Sequence, residues 1–101
     1  LANPYSLTVR EEAGEDIASA VLWYLTHHPD RIPRFLAAID DRFAFILRNP
    51  KSPVRIERGY HQFPVKAFPC FVVYGMEGQE VVVLRVFQMK RDPETKLRRK
   101  R

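Results

Sequence analysis

One cysteine, four glycines and no long apolar run define this 101-residue chain by what it lacks. The lone thiol, Cys70, excludes an internal disulfide and a zinc site built on cysteines. Within its apolar stretch it reads as a buried, inert side chain of a reducing cytoplasm. No segment approaches the roughly 20 apolar residues that cross a bilayer, so no membrane partner is expected. The amino terminus has no charged start leading into an apolar stretch, which argues against a secretion signal. Leu1, where a methionine would stand, leaves trimming and an unusual start codon both open. Tyrosine and histidine are absent after position 74, and aromatics after Phe87.

Apolar residues make up 46% of the chain, ample for one compact core. The net charge of +5 is unevenly placed. Residues 85–101 hold eight lysines and arginines against Asp92 and Glu94, so that end carries +6 and the other 84 residues sum to −1. A cationic end attached to a nearly neutral body suits a polyanion or an acidic protein. Residues 1–95 are expected to form a single domain, with 96–101 a basic, disordered tail.

Tyr5-Ser6-Leu7-Thr8-Val9 alternates and reads as a first, half-buried strand. From Glu11 the period changes, and Ile17, Ala20, Val21, Tyr24 and Leu25 fall on one helical stripe. Glu11, Glu12, Glu15 and Asp16 favour the positive end of that helix. Pro29 ends it. Asp30 is the expected N-cap of a second helix with Pro33 in its first turn. Ile32, Leu36, Ile39, Phe43, Ile46 and Leu47 mark its apolar face, with Phe35 beside it, and Asn49-Pro50 stops it. So short a link makes the pair an antiparallel hairpin.

Val54-Arg55-Ile56 is a candidate short strand, and Tyr60–Ala67 an edge strand, because Pro64 cannot donate a ladder hydrogen bond. Phe71–Tyr74 and Val81–Phe87 are the clear strands, joined across a Gly75–Gly78 turn. The expected fold is α+β in the order β-α-α-β-β-β, with the helical hairpin on one face of a small antiparallel sheet. Strict alternation in the last strand sends Val82, Leu84 and Val86 one way and Val81, Val83, Arg85 and Phe87 the other. Assigning the purely aliphatic set to the helices leaves the second set as an open, half-cationic docking face with Lys90 and Arg91 at its end. A homodimer contact would explain that face equally well.

The order and spacing of several motifs resemble the RelE/ParE superfamily of bacterial toxins. They are Ala13 with Asp16-Ile17, the Phe35…Leu47 helix with its Asn49-Pro50 stop, Val65-Lys66-Ala67-Phe68-Pro69 leading into Phe71-Val72-Val73-Tyr74, and Val81–Val86 running into Lys90-Arg91-Asp92-Pro93. The resemblance spans Tyr5 to Pro93. It implies a cytoplasmic, growth-inhibiting toxin of a type II toxin–antitoxin module, of the ParE-like, plasmid-stabilisation type. Such a toxin is neutralised by a cognate antitoxin that wraps it with a helix and an extended segment. A homodimer or a heterotetramer with the antitoxin stays open.

Two mechanisms follow from the resemblance. RelE-type members cut messenger RNA on the ribosome, which needs a base, an acid and fixed cations. Lys66, Arg85, Lys90 and Arg91 are the available cations here, and His61, Tyr60 and Tyr74 the available proton-transfer groups. If the chain is such an enzyme, Lys66, Arg85 and Arg91 with His61 or Tyr74 form its catalytic set. Gln88 stands where many relatives carry a histidine, and a neutral amide is neither acid nor base. ParE-type members inhibit DNA gyrase by protein contact and need no such set, so that reading is preferred, with Val81, Val83, Arg85, Phe87, Lys90 and Arg91 as the partner-binding surface. No cofactor or metal is expected. His27 and His28, adjacent on a helix, point about 100° apart and suit the negative helix end better than one ion. The rival from another class is a non-enzymatic nucleic-acid-binding module using the basic tail, but the tail has no aromatics for base stacking.

Overall fold

The computed structural model describes residues 3–51, 54–55 and 59–89. Lys90, Arg91, Ile56, the expected domain boundary at residue 95 and the basic tail lie outside them. The chain forms β1 (Ser6–Val9), α1 (Glu11–His27), a 3-10 turn (Pro29–Arg31), α2 (Ile32–Arg48), β2 (Val54–Arg55), β3 (His61–Pro64), β4 (Cys70–Glu77) and β5 (Glu80–Gln88). The sheet order is β1-β5-β4-β3-β2. This is the expected α+β arrangement with four corrections.

The sheet is mixed rather than purely antiparallel, because β1 lies parallel to the first half of β5, Leu7 opposite Val81 and Val9 opposite Val83. A strand followed directly by the helical hairpin that covers the sheet can enter beside β5 in the same direction, since α1 and α2 supply the long crossover a parallel pair requires. The edge strand is β2 and not the Tyr60–Ala67 segment. β3 pairs with both β2 and β4, and Pro64, its last residue, faces Phe71. The second helix begins after the 3-10 turn, with Arg31 and not Asp30 at its N-cap.

The helices present Ala13, Ala20 and Tyr24 from α1 and Phe35, Ile39 and Ile46 from α2 to the core. Phe35 therefore sits at the centre of its stripe. Leu36 and Leu25, both expected inside, face outward, and Leu25 is 58% exposed. Tyr24, Phe35 and Phe68 close on one another with centroids 5.2, 6.0 and 5.4 Å apart. Each such aromatic pair adds roughly 0.5–1.5 kcal/mol to the area it buries. Cys70, Val72, Tyr74, Val81, Val83 and Val86 complete the core from β4 and β5. Cys70 is wholly buried, as its apolar surroundings suggested.

The fourth correction concerns β5. Val73 pairs with Arg85 but Tyr74 pairs with Val83, so Leu84 is an extra residue, a β-bulge. An inserted residue reverses the alternation beyond it. Val81 and Val83 before the bulge and Val86 after it all face the helices, and Val81 and Val83 are 0% exposed. The expectation that Val81 and Val83 lie on an open face with Arg85 and Phe87 fails for this reason. Only the part of β5 beyond the bulge turns Arg85 and Phe87 outward.

Candidate functional site

β1 ends at Val9 because α1 starts two residues later, which leaves the outer edge of β5 without a strand beyond Val83 among the described residues. The backbone N–H of Arg10 makes the last ladder bond, to the Val83 carbonyl at 2.9 Å. Asp16 of α1 then takes the place of the missing strand. Its Oδ2 accepts the Val86 N–H at 2.8 Å and the Arg85 Nε–H at 2.8 Å, while Oδ1 accepts from Arg85 Nη2 at 2.9 Å. A forked guanidinium–carboxylate pair fixes both groups in one geometry. The Arg85 hydrogen bond holds the Asp16 carboxyl below its ordinary value, against an opposing pull from burial, with the Val86 N–H adding to the lowering.

Arg85 also lies over the Phe87 ring, 4.8 Å from its centroid, and Phe87 leans on Phe71 at 5.8 Å. The Arg85 side chain is 44% exposed and Phe87 40%. The outward face at this end of the sheet is thus a cation set against aromatic rings. It continues toward Tyr60, which lies so close over Gly75 that a β-carbon there would sit 3.2 Å from its ring. A cleft of about 270 Å³ runs alongside, lined by Arg10, Tyr60, Glu77, Val82 and Leu84 among others. Val73 and Val82, on this same face, are buried, so the face is open at the Arg85–Phe87 end and not along its whole length.

Of the three proton-transfer candidates, Tyr60 stays on this outward face, 42% exposed, while His61 and Tyr74 lie on the other side. His61 is 5% exposed and stacks on Tyr74 at 4.9 Å with the rings nearly parallel. Tyr74 is fully buried, donates its hydroxyl to the Pro50 carbonyl at 2.5 Å, and has its pKa pushed up to about 12 by burial. Lys66 stands on the turn between β3 and β4 and lines a separate cleft against α2. Lys66, beside α2, and Arg85, bonded to Asp16 of α1, therefore stand in different places, and neither His61 nor Tyr74 is presented to solvent beside them. His27 donates from Nδ1 to the Trp23 carbonyl at 2.8 Å and stacks on that residue's indole at 4.1 Å, a helix-end role in keeping with its position.

The profile of the ParE toxin of type II toxin–antitoxin systems (parDE) matches residues 7–93. The chain belongs to the ParE toxin family. The chromosomal ParDE toxin–antitoxin system of P. aeruginosa superposes with a TM-score of 0.78 at 16% identity, over 88% of this chain and 100% of that one. The RelBE2 toxin–antitoxin complex of Mycobacterium tuberculosis gives 0.59 at 24% identity over 88% and 95%. The YoeB/ParE toxin from Agrobacterium tumefaciens gives 0.58 at 17% over 84% and 99%. At these identities the likeness carries the fold. No curated protein matches the chain in sequence. Its family is that of the toxins of type II toxin–antitoxin systems. Among the described residues, no helix is long and apolar enough to cross a membrane.

Asp16 is the site residue that sequence reasoning misplaced. Its place in the early turns suits the helix dipole, yet it lies three residues from Ala13 and four from Ala20, on the buried stripe of α1. A carboxylate on an apolar stripe was the available signal. Arg42 carries the same signal on α2, three residues after Ile39 and four before Ile46. It lies against the Phe63 ring at 4.7 Å and near Phe45 at 5.8 Å.

Proposed function

We propose that this toxin arrests growth by ParE-like protein contact with DNA gyrase, through the outward face at Arg85 and Phe87 together with Lys90 and Arg91. The cognate antitoxin neutralises it by covering that face. The observation that carries this reading is the placement of His61 and Tyr74, two of the three acid–base candidates. A phosphoryl-transfer site needs its proton donor and acceptor within hydrogen-bond reach of the substrate. Burial of His61 and Tyr74 on the helix side of the sheet, and the commitment of Arg85 to Asp16, both speak against a ribonuclease built on those residues. An exposed arginine over an aromatic ring is the composition of a protein-contact hot spot.

The test is induced expression with and without the antitoxin, followed by separate assays of gyrase supercoiling and ribosome-dependent messenger RNA cleavage by the purified toxin. Supercoiling should be inhibited and no cleavage should occur. Phe87→Ala, which removes an exposed ring, should weaken inhibition by about tenfold, the size of a hot-spot truncation of roughly 1–2 kcal/mol. Cleavage that disappears in Lys66→Ala would replace this reading with the RelE-like endonuclease. Activity lost on deleting residues 96–101 with the fold intact would replace it with a tail-borne nucleic-acid-binding module.

A further inference from the structure

A second cleft, of about 240 Å³, opens between α2 and the turn from β3 to β4, lined by Arg34, Ala37, Ala38, Asp41, Arg42, Lys66, Ala67 and Phe68. It is smaller than the roughly 300–1,000 Å³ of most small-molecule pockets and matches one or two side chains. Three alanines keep it open. Among the described residues three cations stand around them against one carboxylate, so the rim favours an anion.

Two details mark this as more than a gap in packing. Arg42, on the core stripe of α2, keeps its Nε–H buried with no hydrogen-bond acceptor among the described residues. Its guanidinium is held over the Phe63 ring, so the charge stands at the cleft without a carboxylate paired to it among the described residues. Ala67, in the opposite wall, has a φ of 70°, in the left-handed region that side chains rarely adopt. The turn holds it there with Val65 N–H donating to the Cys70 carbonyl at 2.9 Å and Phe68 N–H to the Val65 carbonyl at 3.3 Å. Backbone strain of this kind gathers at ligand-contacting segments.

We propose that this cleft docks an acidic, apolar segment of a partner protein, with an aliphatic side chain between Ala37, Ala38 and Ala67 and neighbouring carboxylates on Arg34, Arg42 and Lys66. A nucleic acid fits less well, because the ring in the lining, Phe68, is buried against Tyr24 and Phe35 and covered by Arg31 at 5.5 Å. No face is left on which a base could stack. The site is separate from the Arg85–Phe87 face and does not depend on which target that face contacts.

The experiment is fluorescence anisotropy of the full chain with a labelled ten-residue peptide of alternating leucine and glutamate. Saturable binding is expected, reduced at least tenfold by Ala37→Leu, which fills the cleft, and by the exposed charge reversal Arg34→Glu with Lys66→Glu. Arg48→Glu, a reversal on α2 outside the cleft, should leave binding unchanged. Circular dichroism checks that each variant is folded, and the charge reversal carries the test if Ala37→Leu is not. The peptide with glycine replacing leucine should fail to bind. Equal binding of the glycine peptide, equal loss in Arg48→Glu, or displacement of the peptide by a single-stranded RNA oligonucleotide at equal concentration would overturn the proposal.

Discussion

Asp16 on α1 and Arg42 on α2 are the same anomaly in two places, a charged residue on the apolar stripe of an amphipathic helix. Their surroundings answer it differently. Asp16 receives a forked guanidinium and a backbone N–H, so its carboxylate is fully engaged at an edge of β5 that no strand among the described residues covers. Arg42 has aromatic faces beneath it and a buried Nε–H with no acceptor among the described residues. The first arrangement closes the fold. The second leaves chemistry to spare at a cleft. A charge inside an amphipathic pattern therefore says that something polar must meet it, while only the neighbours say whether the protein itself supplies that partner.

The sharpest way to break the comparison is Asp16→Ala. It strands the Val86 N–H, part-buried on the β5 edge, and releases Arg85. We expect a loss of about 2 kcal/mol by urea denaturation, near the value of a charge-assisted hydrogen bond, most of it from Val86. Arg85, nearly half exposed, finds water instead and contributes little. Asp16→Asn keeps an acceptor for Val86 and should cost about half as much. The pH dependence separates the two. Because Asp16 ionises below its ordinary 3.8 in the folded state, its contribution is present above that value and is lost as pH falls through the folded one. The gap between native protein and Asp16→Asn should thus be full at pH 6 and close below about pH 4. A gap that does not change with pH would mean that Asp16 acts by shape alone.

Tyr74 lies between the two cases, a buried polar group with one neutral partner. Tyr74→Phe removes the bond to the Pro50 carbonyl while keeping the ring against His61, and should cost about 1 kcal/mol. Toxicity in cells should be unchanged. Loss of toxicity with stability retained would return Tyr74 to the chemistry of the protein and favour the nuclease reading.

The helical hairpin was legible from the sequence because its signals are local: a 3.6-residue stripe, proline stops and a short link. So were β4 and β5 as strands. What sequence alone did not reveal is non-local. One extra residue at Leu84 reverses which half of β5 faces the helices, and Val81 and Val83 moved from the expected docking face into the core as a result. No turn residue or proline marks that bulge, since four consecutive aliphatics read equally well in either phase. The parallel placement of β1 likewise depends on where the chain returns. Of the expected surface, Arg85 and Phe87 stand where alternation beyond the bulge puts them. The engagement of Arg85 by Asp16 joins residues 69 positions apart and has no local signature.

Arg42→Met is the finest test of the comparison. Methionine keeps the unbranched stem over Phe63 and removes both the charge and the buried Nε–H. The cation–π contact it forfeits is worth roughly 0.5–2 kcal/mol. Removing a buried donor that has no acceptor returns about 1–3 kcal/mol. The two oppose each other, so the net change in unfolding free energy should lie within about 1 kcal/mol of zero, against the clear loss in Asp16→Ala. If Arg42→Met instead destabilises as strongly as Asp16→Ala, the guanidinium is a structural clasp like its counterpart on α1. The cleft beside it would then hold no unused donor.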